Sequence, residues 1–330
     1  MFDLTDAIYA LLIAFFVCVA MIPAVIPLLR RLKFGQNVRQ EGPKSHLKKQ
    51  GTPTMGGIAI VISIFIASAF FLRGNPQAVA VLLTTLGFTC IGFIDDYIKV
   101  VMKRSLGLRA KAKIIMQFIV CAGFWMYLFF RDGGLNTEIY VPFFNVFWDL
   151  GIWYTPFYVF AMVGIVNGVN ETDGIDGLSS GVTVLVIAFF MFIMLALDSP
   201  LLPIAGAAVG ALLAFLLFNT HPAKIFMGDT GSFALGGFIV SSAIILQMPL
   251  VLAVVGIIYI VENLSVIIQV YWFKYTKKKY GEGRRIFKMA PIHHHFEEMG
   301  MKETQVVSMF YVITAIACLV GYLGTRGLFV

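Results

Sequence analysis

The sequence has 330 residues, of which 59% are hydrophobic and 13% charged, with a formal net charge of +7. An ordinary soluble domain is roughly 45–50% apolar and about 25% charged, so these proportions exclude a soluble globular domain, and a disordered chain as well. They leave an integral membrane protein: at roughly 20 residues per crossing, about ten spans and their loops use the whole length.

The first apolar run, Ile8 to Leu29, follows acids rather than a basic stretch and has no small-residue cleavage site, so it reads as a span and not a signal peptide. Further runs follow at Pro53–Leu72, Gln77–Ile94, Ile114–Phe130, Pro156–Val166, Val182–Leu197, Leu201–Phe218, Phe233–Leu246, Leu250–Phe273 and Val306–Leu328. The fifth and eighth are short and are expected to draw on flanking residues. Cys18, Cys90, Cys121 and Cys318 all fall inside apolar runs with no CxxC spacing, which suits small core residues rather than disulfides or metal ligands. The expected fold is therefore all-α and polytopic, a single transmembrane domain over 1–330.

Lysine and arginine accumulate in cytoplasmic loops. With both termini on the extracytoplasmic side, the inner loops, at about 30–52, 97–113, 168–180, 219–231 and 274–304, hold 22 of the 25 basic residues. Only Arg73, Arg131 and Arg326 remain outside. The positive charge is then a cytoplasmic feature suited to anionic headgroups or phosphorylated substrates. No nucleic-acid motif accompanies it.

The acids in these loops sit at span ends. Asp95 and Asp96, in GFIDDYIKV, lie at the C-terminal end of the third span, where the helix field disfavours carboxylates by about 0.3–1 kcal/mol. That placement points to function rather than to two solvated acids. Asp173, Asp176 and Asp229 precede the sixth and eighth spans, where a single Asp is an ordinary helix cap. Asn170 and Ser179 accompany the first two, and Thr230 and Ser232 the third, a surplus of oxygen ligands on glycine-rich turns that suits a hard cation such as Mg²⁺.

GTPTMGG opens the second span, and Gly51, Gly56 and Gly57 would let backbone amides approach a phosphate. No P-loop motif occurs. RRIFKMAPIHHHFEEMG places His293, His294 and His295 near Arg284, Arg285 and Lys288, which suits phosphate or nucleotide contacts better than zinc. In the ninth run Glu262, Ser265 and Gln269 share one helical face. Either Glu262 is a functional group within the span, or that helix is bent or broken and Glu262 reaches protein or water.

GTPTMGG, GFIDDYIKV, NETDGIDGL, IFMGDTGS and MAPIHHHFE, in this order between ten spans, closely resemble the phospho-N-acetylmuramoyl-pentapeptide transferase branch of the polyprenyl-phosphate N-acetylhexosamine-1-phosphate transferases. The stretch KYTKKKYGEGRR departs from the pattern, being several residues longer than usual before the histidines. The resemblance implies a multi-pass enzyme of the bacterial inner membrane, active on its cytoplasmic face. It would move phospho-MurNAc-pentapeptide from UDP-MurNAc-pentapeptide onto undecaprenyl phosphate with Mg²⁺, giving lipid I and UMP, the first membrane step of peptidoglycan synthesis. It further implies a homodimer.

By motif, Asp229 matches the magnesium aspartate, with Asp95, Asp96 and Asn170 as further candidate ligands. Asp95, Asp96, Asp229, His293 and Lys111 are the candidate catalytic residues. Lys49, Asn170, Asp173, Asp176, Asn219, Phe226, Gln269, His294 and His295 are the candidate substrate-binding residues. A GlcNAc-1-phosphate transferase acting on the same lipid is the alternative enzyme. A secondary transporter is the alternative class, although transporter sites usually lie near the midplane and the polar groups here lie at one rim.

Overall fold

The computed structural model describes residues 2–32, 49, 51–102, 107–132 and 136–328. Helix α1, Leu4–Arg31, starts on a reciprocal cap between Asp3 and Asp6 and ends on Arg30 and Arg31, each charge matching the helix field at its end. Its buried residues Ala7, Ala10, Ala14 and Cys18 form a stripe of small side chains. The stripe faces α7, Leu202–Asn219, on which a Cβ at Gly206 or Gly210 would overlap the carbonyls of Ala7 and Leu11. Small residues let the two backbones approach, the usual basis of helix association in lipid.

The other long helices are α3 (Pro76–Val100), α4 (Ala110–Asp132), α5 (Tyr154–Thr172), α6 (Leu178–Ala196), α8 (Gly228–Ile245), α10 (Ile257–Tyr280) and α12 (Glu303–Thr325). Among the described residues nine helices are long and apolar enough to cross a membrane, and α2, Gly57–Ala69, is a shorter apolar tenth. The two runs expected to borrow flanking residues do so: α5 and α8 reach 19 and 18 residues. The shortfall is in the second run, because Pro53 to Gly56 are not helical.

The ninth run is broken. It divides at Gly256 into α9, Pro249–Val255, and α10, and Glu262 lies inside α10, past the break. Helix α10 also continues through Lys274 to Tyr280, residues expected to be loop. A further short helix, α11 (Ile292–Glu298), carries the three histidines.

A small hairpin, unforeseen in the sequence, separates α4 from α5: β1 (Glu138–Val141) pairs antiparallel with β2 (Val146–Asp149). The Tyr140 amide donates to Gln247 after α8 (2.7 Å), and its hydroxyl donates to Gly324 in α12 (3.0 Å). The hairpin thus gathers one end of the bundle. At that end Asn75, the cap of α3, also donates to Pro200 between α6 and α7. The opposite end gathers the C-termini of α3, α5 and α7 with the N-termini of α4, α6, α8 and α12, and there the acids meet.

Candidate active site

Gly92 on α3 packs where a Cβ would overlap the backbone of Asp229 and Thr230. One helical turn later Asp95 and Asp96 therefore point at the start of α8. Asp96 caps that helix from outside: its carboxylate accepts the amides of Asp229 (3.1 Å) and Thr230 (2.8 Å) and the Thr230 hydroxyl (2.6 Å). No cap comes from α8's own flank, so Asp229 is not the cap that its position before a helix suggested.

Freed from capping, the Asp229 carboxylate meets Lys113 of α4 at 2.7 Å and Lys99 of α3 at 3.0 Å, and accepts from Asn170 of α5 at 3.2 Å. Asp95 lies 2.5 Å from Lys99 and 3.2 Å from Lys113, and its other oxygen accepts the Leu108 amide. Asp173, just past α5, completes this side. Burial, with Asp229 and Asp96 nearby, pushes its carboxyl well above the usual carboxylate range.

A second cluster is built from residues far apart in sequence. Lys49 bridges Asp176 (2.7 Å) and Glu303 (2.5 Å), and Glu303 also accepts the Asp176 amide at 2.7 Å. The other Asp176 oxygen accepts the Ala223 amide and lies 3.0 Å from His221 Nδ1. Asn219 closes the floor, accepting from Gly177 and Ser180 and donating to the Ile225 carbonyl. Phe226 lies beneath Lys49, whose ammonium is 6.0 Å from the ring centre.

The third group joins α10 to α11. Glu262 and His293 are both fully buried, with Nδ1 3.1 Å from a carboxylate oxygen, so Glu262 reaches protein rather than lipid. His294 pairs with Glu297 at 2.8 Å, and His295 accepts the Lys288 amide. Gln269 accepts the amides of Ile286 and Phe287 and donates to the Phe287 carbonyl. It thereby pins the segment leading to the histidines and has little capacity left for a ligand.

Two groups singled out in the sequence have other surroundings in the structure. The amides of Gly56 and Gly57 donate to the carbonyls of Phe226 and Met227, and a Cβ at Gly57 would overlap Gly231, so both glycines serve close packing against the start of α8 instead of phosphate binding. Lys111 is exposed on α4, whereas Lys113 contacts the acids. Lys99, Lys113, His221 and Glu303 were all missed.

The acids suit a hard cation. Ligand oxygens of Asp95, Asp96 and Asp229 lie within 4.8 Å of one another, and the buried Asp95 oxygen facing Lys99 and Lys113 is held by those ion pairs alone. Mg²⁺ is commonly held by one or two carboxylates plus substrate phosphate. Asp229 and Asp95 fit that role; Asp96 is occupied by α8.

Residues 78–247 match the family described as Glycosyl transferase family 4, and residues 49–61 match phospho-N-acetylmuramoyl-pentapeptide-transferase signature 1. The protein is thus a multi-pass membrane transferase of the family 4 class. It is 48% identical over 316 residues to the phospho-N-acetylmuramoyl-pentapeptide-transferase of Caldanaerobacter subterraneus subsp. tengcongensis, covering 96% of this chain and 97% of that one. Similarity to the enzyme so named in Clostridium perfringens is 48% over 318 residues (96% and 97%), and in Thermoanaerobacter sp. 47% over 320 residues (97% and 98%). The chain belongs to the phospho-N-acetylmuramoyl-pentapeptide-transferase family.

Proposed function

We propose that this chain transfers phospho-MurNAc-pentapeptide from its UDP conjugate to undecaprenyl phosphate, forming lipid I and releasing UMP on the cytoplasmic face of a bacterial inner membrane. The observation that carries the reading is the junction of α3, α4, α5 and α8, where Asp95 and Asp229 face Lys99 and Lys113 at one end of an otherwise apolar bundle. An acceptor that lives in the bilayer calls for an enzyme of this kind. The charge asymmetry supports placing both termini outside and this end inside. The same reading takes 1–330 as one catalytic domain and the protein as a homodimer, as the resemblance implies.

Two phosphorylated substrates repel each other, and their reaction needs positioning and charge neutralisation more than covalent help from the protein. Mg²⁺, held by Asp229 with Asp95, would neutralise phosphate charge and polarise the phosphorus–oxygen bonds. Lys99 and Lys113 donate to the phosphoryl oxygens from the same side. Asn170 orients Asp229, and Asp96 holds α8 in place.

The Asp176–Lys49–Asn219 cluster, with Phe226 as an apolar face, takes the uridine end of the donor. His293 and His294 meet the donor from α11, and Asp173 and His295 line its path. A phosphomonoester has its second pKa near 6, so the lipid phosphate is largely dianionic at neutral pH and attacks without a strong base. One of its oxygens bonds to the sugar-linked phosphorus as the bond to UMP breaks, and Asp95 serves as positioner.

Release of UMP in detergent, with polyprenyl phosphate and Mg²⁺, tests the reading. UDP-MurNAc-pentapeptide should give turnover, and UDP-GlcNAc little. The reverse preference would assign the chain to GlcNAc-1-phosphate transfer, and substrate flux across proteoliposomes without UMP release would assign it to transport. A sugar-phosphate adduct trapped on Asp95 or Asp96 in the absence of acceptor lipid would replace direct attack by a covalent scheme.

A further inference from the structure

Among the described residues, the buried side-chain atoms without a hydrogen bond include Glu262 Oε2 and His293 Nε2. These two orphans belong to one contact, the Glu262–His293 pair between α10 and α11, with both side chains fully buried. An unpaired buried polar atom costs about 1–3 kcal/mol, and natural structures seldom keep one unless a ligand group or water completes it. A pair with an orphan on each partner is an unfinished network.

The atom left over follows from the charge state of the carboxylate. With Glu262 ionised its oxygen only accepts, which puts the shared proton on Nδ1 and leaves Nε2 as the free nitrogen. The Nε2 edge of the ring lies against Gly174, where a Cβ would overlap it. Gly174 belongs to the turn between Asp173, beside the Asp229 cluster, and Asp176, in the Lys49 cluster. The ring therefore packs Nε2 against the turn that joins the two proposed halves of the donor site. Glu171, on the last turn of α5, is a further acid interacting electrostatically with this pair.

We infer that Glu262 is a positioning residue: its carboxylate holds His293 with the proton on Nδ1 and presents Nε2, across Gly174, to the substrate. Carboxylates behind catalytic or metal-binding histidines elsewhere set tautomer and ring orientation in this way. The inference deepens the proposed function, resting on His293 touching the donor. It gives Gly174 a role no motif assigns, because any larger residue there displaces the imidazole.

Nitrogen-15 NMR of histidine-labelled protein in detergent, without substrate, tests the placement independently of the reaction. The His293 signals, assigned by their loss in His293→Gln, should show a ring protonated on Nδ1 alone; a ring protonated on Nε2 would overturn the inference. Glu262→Gln should release a population with the proton on Nε2, lower kcat by about 100-fold and leave KM for the donor within about twofold. The double variant Glu262→Gln, His293→Gln should turn over no more slowly than His293→Gln alone. Additive losses would show that Glu262 acts apart from His293 and would sink the idea. If Glu262→Gln fails to fold, the wild-type spectrum still decides. A correct tautomer in a protein that releases no UMP would instead count against the proposed function and leave the placement standing.

Discussion

Two acid clusters lie at the same end of the bundle, each with at least two carboxylates and a lysine, and they are built for different work. Around Asp229 the acids come from helix ends, and one of them, Asp96, is used up as the cap of α8. That use leaves Asp229 and Asp95 facing two lysines, a counter-ion arrangement into which a cation and phosphate can exchange. Around Asp176 the carboxylate oxygens are committed to joining segments 47 to 254 residues apart in sequence: Lys49 to Glu303, Glu303 to the Asp176 amide, Lys49 to Asp176, Asp176 to Ala223. Both clusters contain groups with the atoms to hold a metal ion, Asp95–Asp96–Asp229 and Asp176–His221–Glu303. What separates them is how many of those atoms the fold has already spent. The first cluster is chemistry held by a frame; the second is itself a frame.

The contrast can be broken most sharply at Asp229. Asp229→Asn should lower kcat by about 1,000-fold at saturating Mg²⁺ while the protein unfolds near the wild-type temperature. A rate within tenfold of wild type would remove it from the centre. Next, Lys113→Met should cost about 100-fold in UMP release, and Lys111→Met less than about twofold; equal losses would erase the distinction drawn from α4. Asp96→Ala strips the amides of Asp229 and Thr230 of their acceptor and should destabilise the fold by about 2 kcal/mol, read as a lower melting temperature in detergent, where Asp229→Asn does not. The smallest effect belongs to the second cluster: Glu303→Gln should raise KM for the nucleotide donor about tenfold with kcat within about threefold. A fall in kcat without a change in KM would move Glu303 out of the framing role.

The spans were legible because a run of apolar residues long enough to cross lipid has few other uses, and because small and polar residues mark where such runs end. The hairpin was not, since four-residue strands carry little pattern of their own, and β2 is exposed along its length. Within the site, Asp95 and Asp96 stood out because the helix field makes carboxylates costly at a C-terminal end, and Asp173, Asp176 and Asp229 because their turns carry more oxygen ligands than a cap needs. The lysines did not, because apolar residues cover both the lipid and the protein face of a membrane helix and hydropathy cannot tell one from the other. A signal for Lys113 was nonetheless present: it lies on the stripe of Gln117, Cys121 and Phe124, all buried, while Lys111 shares its side with exposed Ile114, Ile115 and Phe118. One amide and one cysteine on an apolar helix identify its inner face better than hydrophobicity does. Glu303 and His221 carry no local sign, since their roles exist only once α7 and α12 have brought their ends to Asp176.

Helix α2 begins only at Gly57, and its 13 residues span about 20 Å, against a hydrocarbon layer of about 30 Å. The missing length is supplied by Pro53 to Gly56, buried non-helical chain tied to Phe226 and Met227 beside Asp229. Non-helical backbone at membrane depth survives only where protein shields it. With the second run crossing the hydrocarbon layer, the reacting groups beside it would lie recessed beneath the headgroup plane, and the donor would descend to an acceptor held in its leaflet. Such a recess would couple the enzyme to its solvent: acyl chains that thicken the bilayer would bury the mouth of the site, and chains that thin it would lay the mouth open.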